Sequence, residues 1–458
     1  MSNPRKTSGN TARLRLAELL GALSHALDIT EGQPRGHCIR CCWIGTHIGR
    51  ELGLPARQMS DLYYTLLLKD LGCSSNAARI CQLYLTDDIS FKHDFKHIDG
   101  SLPHALRFVI SHTGLKEGLA ERFRAIIRVM QGGGEIAREL IETRCHRGAE
   151  IARSMRFSEE VANGIQCLDE HWDGSGLPER LAGSTIPVNS QIALMAQVID
   201  VFHASGGPQA AHREIHNRSG SWFDPQLVEA FERIVHEANF WKQLNSPTLP
   251  QAVYGLEPAR AVRMVDEDNL DDIASGFAQV IDSKSPYTSG HSERVTIFSD
   301  LIAEQMGMTE EKRRTLKRAA LLHDIGKLGI SNTILDKPGK LTDEEFAEIK
   351  KHPVYSESIL SSIAVFRELA PIAGGHHERL DGKGYPNGLK GDEIGLETRI
   401  VTCADIFDAL TAERPYRKAM PVAKALSVMQ EDVGTAIDAD CFAALQKPIG
   451  ELDGAKAA

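Results

Sequence analysis

The strongest constraint on the fold of this 458-residue chain is that it repeats itself at the scale of a whole domain. An amphipathic helix, with Leu16, Leu19, Leu20, Leu23 and Leu27 on one side, precedes Arg35-Gly36-His37-Cys38. Helices then run to Leu52 and on to Leu67-Leu68-Lys69-Asp70-Leu71-Gly72-Cys73. Further along, a helix through Ile273, Phe277 and Ile281 precedes Ser289-Gly290-His291, and the next helices end in Leu321-Leu322-His323-Asp324-Ile325-Gly326-Lys327. The order continues: Asp173-Gly174-Ser175-Gly176-Leu177-Pro178 matches Asp381-Gly382-Lys383-Gly384-Tyr385-Pro386, and Gly220-Ser221-Trp222-Phe223-Asp224 matches Gly434-Thr435-Ala436-Ile437-Asp438. The stretch Ala196 to Phe202 faces Thr402 to Phe407, with Asp200 read opposite Asp405.

Strand patterns are almost absent, so the expected fold is all-α, with two tandem helical domains. The boundaries read as 13–244 for the first copy, 245–262 for a connector and 263–450 for the second copy. The first copy carries an additional helical insertion over about 74–142. No run of eighteen apolar residues is present, and Met1-Ser2-Asn3-Pro4-Arg5-Lys6 lacks an apolar export signal, so a cytoplasmic protein without a membrane partner is expected. A net charge of −10 speaks against a general DNA or RNA binder. Nine cysteines without a paired framework suit a reducing compartment. Cys38, Cys41 and Cys42 have zinc-like spacing but no second CxxC, and read as buried thiols.

After Trp241 the chain has only five histidines, His291, His323, His352, His376 and His377, and each lies in a recognisable pattern. His291 shares a helical face with Val295, Phe298 and Ile302, and His323 shares one with Leu316 and Ala320. His352 opens a helix at Lys351-His352-Pro353. His376 and His377 are adjacent, so they can serve one site only near a helix end, which the glycine-rich Asp381-Gly382-Lys383-Gly384 segment supplies. Asp405 lies on an inward stripe, where a carboxylate needs a cation or hydrogen-bond donors. Five imidazoles with Asp324 and Asp405 fit two metal ions, and the mixed nitrogen and oxygen donors suit iron or manganese better than magnesium. Two such ions can activate a water and hold a phosphodiester.

The combination of HDIGK, HHE, DGKGYP and Thr411-Ala412-Glu413-Arg414-Pro415-Tyr416-Arg417 resembles the HD-GYP family of bacterial phosphodiesterases. The resemblance spans about Ser275 to Val433 and implies hydrolysis of a cyclic dinucleotide by a binuclear metal centre in an all-α fold. It implies that His291, His323, Asp324 and Asp405 hold one metal, with Asp324 bridging to a second held by His352, His376 and His377. It further implies that Lys327, Arg414 and Arg417 contact substrate phosphates and that Tyr385 belongs to the loop beside the site. Lys327 and Asp324 are the catalytic expectations. Members with a third metal have a glutamate four residues before the first histidine; Tyr287 stands there, so two metals are expected. Asp282, one turn further off, carries no ligand signature.

The first copy sets His37, Lys69, Asp70, His146, Leu168, Asp169 and Asp200 in the ligand places, with Cys73 for Lys327 and Leu177 for Tyr385. Lys69 brings a cation and Leu168 an apolar group, so a structural and regulatory pseudo-domain is expected, with Lys69 paired to Asp70. The implied substrate is cyclic di-GMP, cut to the linear dinucleotide and to GMP if both bonds break. The alternatives are cyclic GMP-AMP as substrate, or a non-catalytic module in which the GYP loop or the first domain docks signalling proteins.

Overall fold

A computed structural model of the chain describes residues 14–98, 102–115, 117–258, 264–413 and 417–457. Among these residues the structure is built from helices, with isolated bridges and no sheet. Among the described residues no helix is long and apolar enough to cross a membrane.

In the first half, Leu16–Thr30, His37–Glu51 and Ala56–Leu68 pack around Leu19, Leu23, Ile44 and Leu66. The long helices Leu119–Ser154 and Val188–Asn217 close this core, the latter kinked at Gly207. In the second half, Glu267–Asp282, His291–Gln305 and Glu310–Leu322 repeat the opening arrangement, and His352–Ser361 and Leu396–Thr411 close it. One contiguous apolar core runs through both halves. The helix Leu16–Thr30 reaches across to the turn Ile325–Gly329, where Ile29 approaches Gly329.

The insertion forms its own helices, Ala77–Tyr84, Asp88–Phe95 and Leu102–His112, around a small second core of Ile80, Phe91, Phe108 and Val129. The stretch read as a connector is more ordered than a linker. It forms the helix Leu249–Gly255, buries Leu249 and Val253, and is held to the first half by Tyr63 Oη donating to the Val253 carbonyl at 3.2 Å. Residues 259–263, which take in the end of that stretch and the first residue of the second copy, lie outside the described residues.

Candidate metal centre

Two short glycine-dependent contacts build the site. His291 opens its helix behind Gly290, whose φ of 67° is left-handed and favours glycine. At Gly326, any side chain would collide with the backbone carbonyl of His352, so the HDIGK turn and the His352–Ser361 helix can touch only through glycine. Ser356 fastens this contact. Its Oγ accepts from Gly326 N at 2.9 Å and donates to the His323 carbonyl at 2.7 Å.

The predicted ligands converge. Asp324 lies at the centre, with Oδ2 3.4 Å from His291 Nε2 and 3.3 Å from His323 Nε2. Its Oδ1 lies 3.4 Å from His352 Nε2 and 3.7 Å from His376 Nε2. Asp405 Oδ1 is 3.4 Å from His291 Nε2, and His377 completes a cluster with His352 and His376. His291, His323, Asp324, His352 and His376 are buried.

The hydrogen bonds behind the imidazoles fix which nitrogen faces inward. Nδ1 of His323, His352 and His376 donates to the carbonyls of Ala320, Ile349 and Ala373 at 2.6, 2.7 and 2.6 Å. A carbonyl can only accept, so each of these Nδ1 atoms carries the proton and each Nε2 presents its lone pair to the centre. His291 is set the same way by Asp408, at 2.7 Å, which Arg294 holds in turn. Within this ring His291 Nε2, His323 Nε2 and Asp324 Oδ1 are buried with no hydrogen-bond partner. Converging buried lone pairs are costly unless a cation lies between them, so the residues fit a metal. Burial disfavours charge on His291, but the carboxylates of Asp324, Asp408 and Asp405 outweigh it and favour positive charge at this point of the ring, which a metal ion would supply. Burial and neighbouring histidines keep His376 neutral, near 4, and burial lowers His352 to about 3.

Lys327 Nζ lies 2.5 Å from Asp324 Oδ2, at the edge of the site. Tyr385 stacks near His377, with ring centroids 4.8 Å apart. Its loop is shaped by Glu378, which accepts from Asn387 N and Leu389 N at 2.6 and 2.9 Å. Arg417 is engaged differently from the phosphate role the resemblance implies. Its guanidinium donates to the carbonyls of Ala409 and Leu410, at the end of Leu396–Thr411. Arg414 lies outside the described residues, as do Pro415 and Tyr416. Asp282 caps the His291 helix by accepting from Ser292 Oγ at 2.7 Å, and Tyr287 is exposed.

The geometry corrects two pairings between the halves. Asp200 accepts from His37 Nδ1 at 2.7 Å and from Arg40, so its counterpart is Asp408; Gln197 stands where Asp405 does. Gly72 is pressed on the Arg144 carbonyl as Gly326 is on that of His352, so Arg144 replaces His352. His146 instead lies outside, 3.5 Å from Glu179. Asp405 and Asp408 are three positions apart, and such neighbours share a helical face, which is why patterning could not choose between them. Sequence reasoning also missed Asp408 itself; the spacing His-x-x-Arg with Asp-x-x-Asp would have marked it.

The first-half site is filled by its own cation. Lys69 Nζ donates to Asp70 Oδ2, and lies 3.0 Å from His37 Nε2 and 3.1 Å from Gln197 Oε1. These atoms correspond to those around the second-half centre. Arg144 pairs with Asp169 at 2.9 Å, so a second cation occupies the remaining ligand places. Cys38, Cys41 and Cys42 are buried, and burial pushes their thiols up, so they remain protonated packing groups.

Comparison with known proteins agrees with this duplication. The HD domain family matches residues 124–227 and again 276–441. The chain is 53% identical over 437 residues to the 3'3'-cGAMP-specific phosphodiesterase 3 of Vibrio cholerae, covering 95% of each chain. It is 39% identical over 211 residues to the cyclic di-GMP phosphodiesterase response regulator RpfG of Xanthomonas campestris, covering 45% of this chain and 56% of that one. The crystal structure of the cyclic GMP-AMP specific phosphodiesterase V-cGAP3 of V. cholerae superposes with a TM-score of 0.64 at 49% identity, covering 95% of this chain and 98% of that one. With its HD dyad at His323-Asp324 and its Gly384-Tyr385-Pro386 loop, this chain belongs to the HD domain family and, within it, to the HD-GYP phosphodiesterases.

Proposed function

We propose that the second half is a metal-dependent phosphodiesterase that opens a cyclic dinucleotide, with 3'3'-cGAMP as its substrate. The observation that carries the substrate assignment is the extent of similarity. The cGAMP-specific relative matches both halves across 95% of each chain, whereas RpfG covers 45% of this chain. This reverses the order expected from motifs alone, which placed cyclic di-GMP first; motifs report the metal and phosphate chemistry that both substrates share.

His291, His323, Asp324 and Asp405 would hold one ion, and His352, His376 and His377, with Asp324 between, a second; the nitrogen-rich set favours iron or manganese. Bound metal ions supply Lewis acidity toward the phosphodiester. Asp408 and the carbonyls of Ala320, Ile349 and Ala373 fix the imidazole tautomers before any ligand arrives, so no reorganisation is needed at that step. Lys327 sets an ammonium beside Asp324, where it can turn to a substrate phosphate. Tyr385 and the backbone held by Glu378 border the site. The first half, 13–244, is a regulatory and structural copy in which Lys69 and Arg144 have taken the ligand places.

The test is competition between 3'3'-cGAMP and cyclic di-GMP for the full chain loaded anaerobically with ferrous or manganous ion. Preferential loss of 3'3'-cGAMP is expected; preferential loss of cyclic di-GMP would overturn the substrate assignment.

A further inference from the structure

The insertion of the first half encloses a cavity of about 790 Å³. Its floor is the altered site. Arg144, Asp169, Gln197 and Leu177 line it, and these are the counterparts of His352, His377, Asp405 and Tyr385. The cleft is therefore present although its ligand places hold other residues. The opposite wall comes from the insertion and is apolar: Ile80, Tyr84, Phe91, Phe95, Leu140 and Ile141. Tyr84 and Phe91 pack with ring centroids 4.3 Å apart, and His171 stacks on Trp222 at 4.0 Å on the other side.

Charge at the wall decides the class of ligand. Lys96 lies 2.7 Å from Glu31, Arg218 lies 2.6 Å from Glu214, and Arg144 is paired with Asp169. Lys92 donates to the carbonyls of Cys73 and Thr30 at 2.6 and 3.3 Å. A ligand with two phosphates would have to break these pairs, whereas an apolar one removes aromatic and aliphatic surface from water without doing so. The volume and the mostly apolar lining are those of small-molecule sites.

The wall also leads to the second half. Phe91, Lys92 and Phe95 belong to the helix Asp88–Phe95, whose first residue, Asp88, is buried. Its carboxylate accepts from Lys284 Nζ at 3.1 Å and from Asn332 N at 2.9 Å, and Asn332 Nδ2 donates to the Lys284 carbonyl at 2.7 Å. Lys284 begins the segment that runs into His291, and Asn332 follows the turn that carries Lys327. We propose that the first-half cavity binds an uncharged, largely apolar small molecule bearing an aromatic ring, and that its occupancy is transmitted to the second-half site through Asp88.

The test uses the full chain and the neutral dye N-phenylnaphthylamine as probe, with circular dichroism and melting to verify folding of each variant. Saturable fluorescence enhancement is expected, weakened roughly tenfold or more when the cavity is filled by Ala137→Trp or, as a second variant, Ile141→Phe. Hydrogen exchange over 284–291 and 325–336 should slow on dye binding in the wild type, and stay unchanged in Asp88→Asn or Lys284→Gln. Non-saturable binding, or equal binding in both filled variants, would overturn the site. Displacement of the dye by either cyclic dinucleotide would overturn the ligand class. Saturable binding with no change in exchange would overturn the transmission. None of these readouts depends on which dinucleotide the second half cuts.

Discussion

The Lys69 ammonium stands 3.0 Å from His37 Nε2, in the place where the corresponding His291 Nε2 is buried without a hydrogen-bond partner. One half has built its cation into the chain, and the other leaves a ring of acceptors for a cation from solution. Both halves keep the same support, an aspartate and an arginine behind the imidazole, as Asp200 with Arg40 and Asp408 with Arg294. The supporting pair is therefore common to both halves, and the two sites differ in the residues in front of it.

That supporting pair should be measurable. Asp408→Asn keeps an acceptor for His291 Nδ1 but removes the charge that holds Arg294 and polarises the imidazole. Metal affinity should fall about 10- to 100-fold, the usual effect of a residue behind a metal ligand. Titration with manganous ion checks this; unchanged affinity would mean that Asp408 supports only the helix.

Arg417 and Lys327 should separate into different effects. Arg417→Ala removes charged donors from the carbonyls of Ala409 and Leu410, so stability should drop by about 1.5–3 kcal/mol in denaturant titration. Lys327→Ala should instead lower kcat/KM about 10- to 100-fold, with metal content retained, since an ammonium contributes charge and no ligand atom. A stable Arg417→Ala protein with a selective loss of substrate affinity would return that residue to the phosphate site.

The first half should also give a pH signature. His37 is buried and neutral: burial and then the Lys69 charge lower it from 6.5 to about 4. The unfolded chain takes up this proton first as pH falls, so the contribution to stability is complete above about 6.5 and is lost progressively toward about 4. Denaturant titration of His37→Gln beside the wild type should show a shallower loss of stability across that window. Parallel curves would place the acid sensitivity elsewhere.

Much of this site was legible in the chain. His291, His323, Asp324, His352, His376, His377 and Asp405 stand in short signatures, and the structure brings them together: the histidines and Asp324 sit where helices open or close, and Asp405 meets them from within Leu396–Thr411. What patterning could not resolve was register. By pattern Asp200 pairs with Asp405 and His146 with His352, both wrong partners, because neighbours three apart share a helical face and a histidine in the sequence reads as a ligand. Only the close approach of Gly72 to the Arg144 carbonyl identifies Arg144 as the counterpart of His352. The cavity was hidden for another reason: its wall joins helices of the insertion to Trp222 and Arg218, which no local pattern connects.

The central claim, one metal centre and one that its own lysine has replaced, is tested most directly by metal stoichiometry in Asp324→Ala and Asp70→Ala. Asp324→Ala should lose most bound metal and all hydrolysis, because its carboxylate lies among four imidazoles. Asp70→Ala should keep full metal content and turnover while losing about 3 kcal/mol of stability, because Lys69 is left buried without its carboxylate. Loss of a metal equivalent and of most activity in Asp70→Ala, or full metal content and normal turnover in Asp324→Ala, would contradict the account.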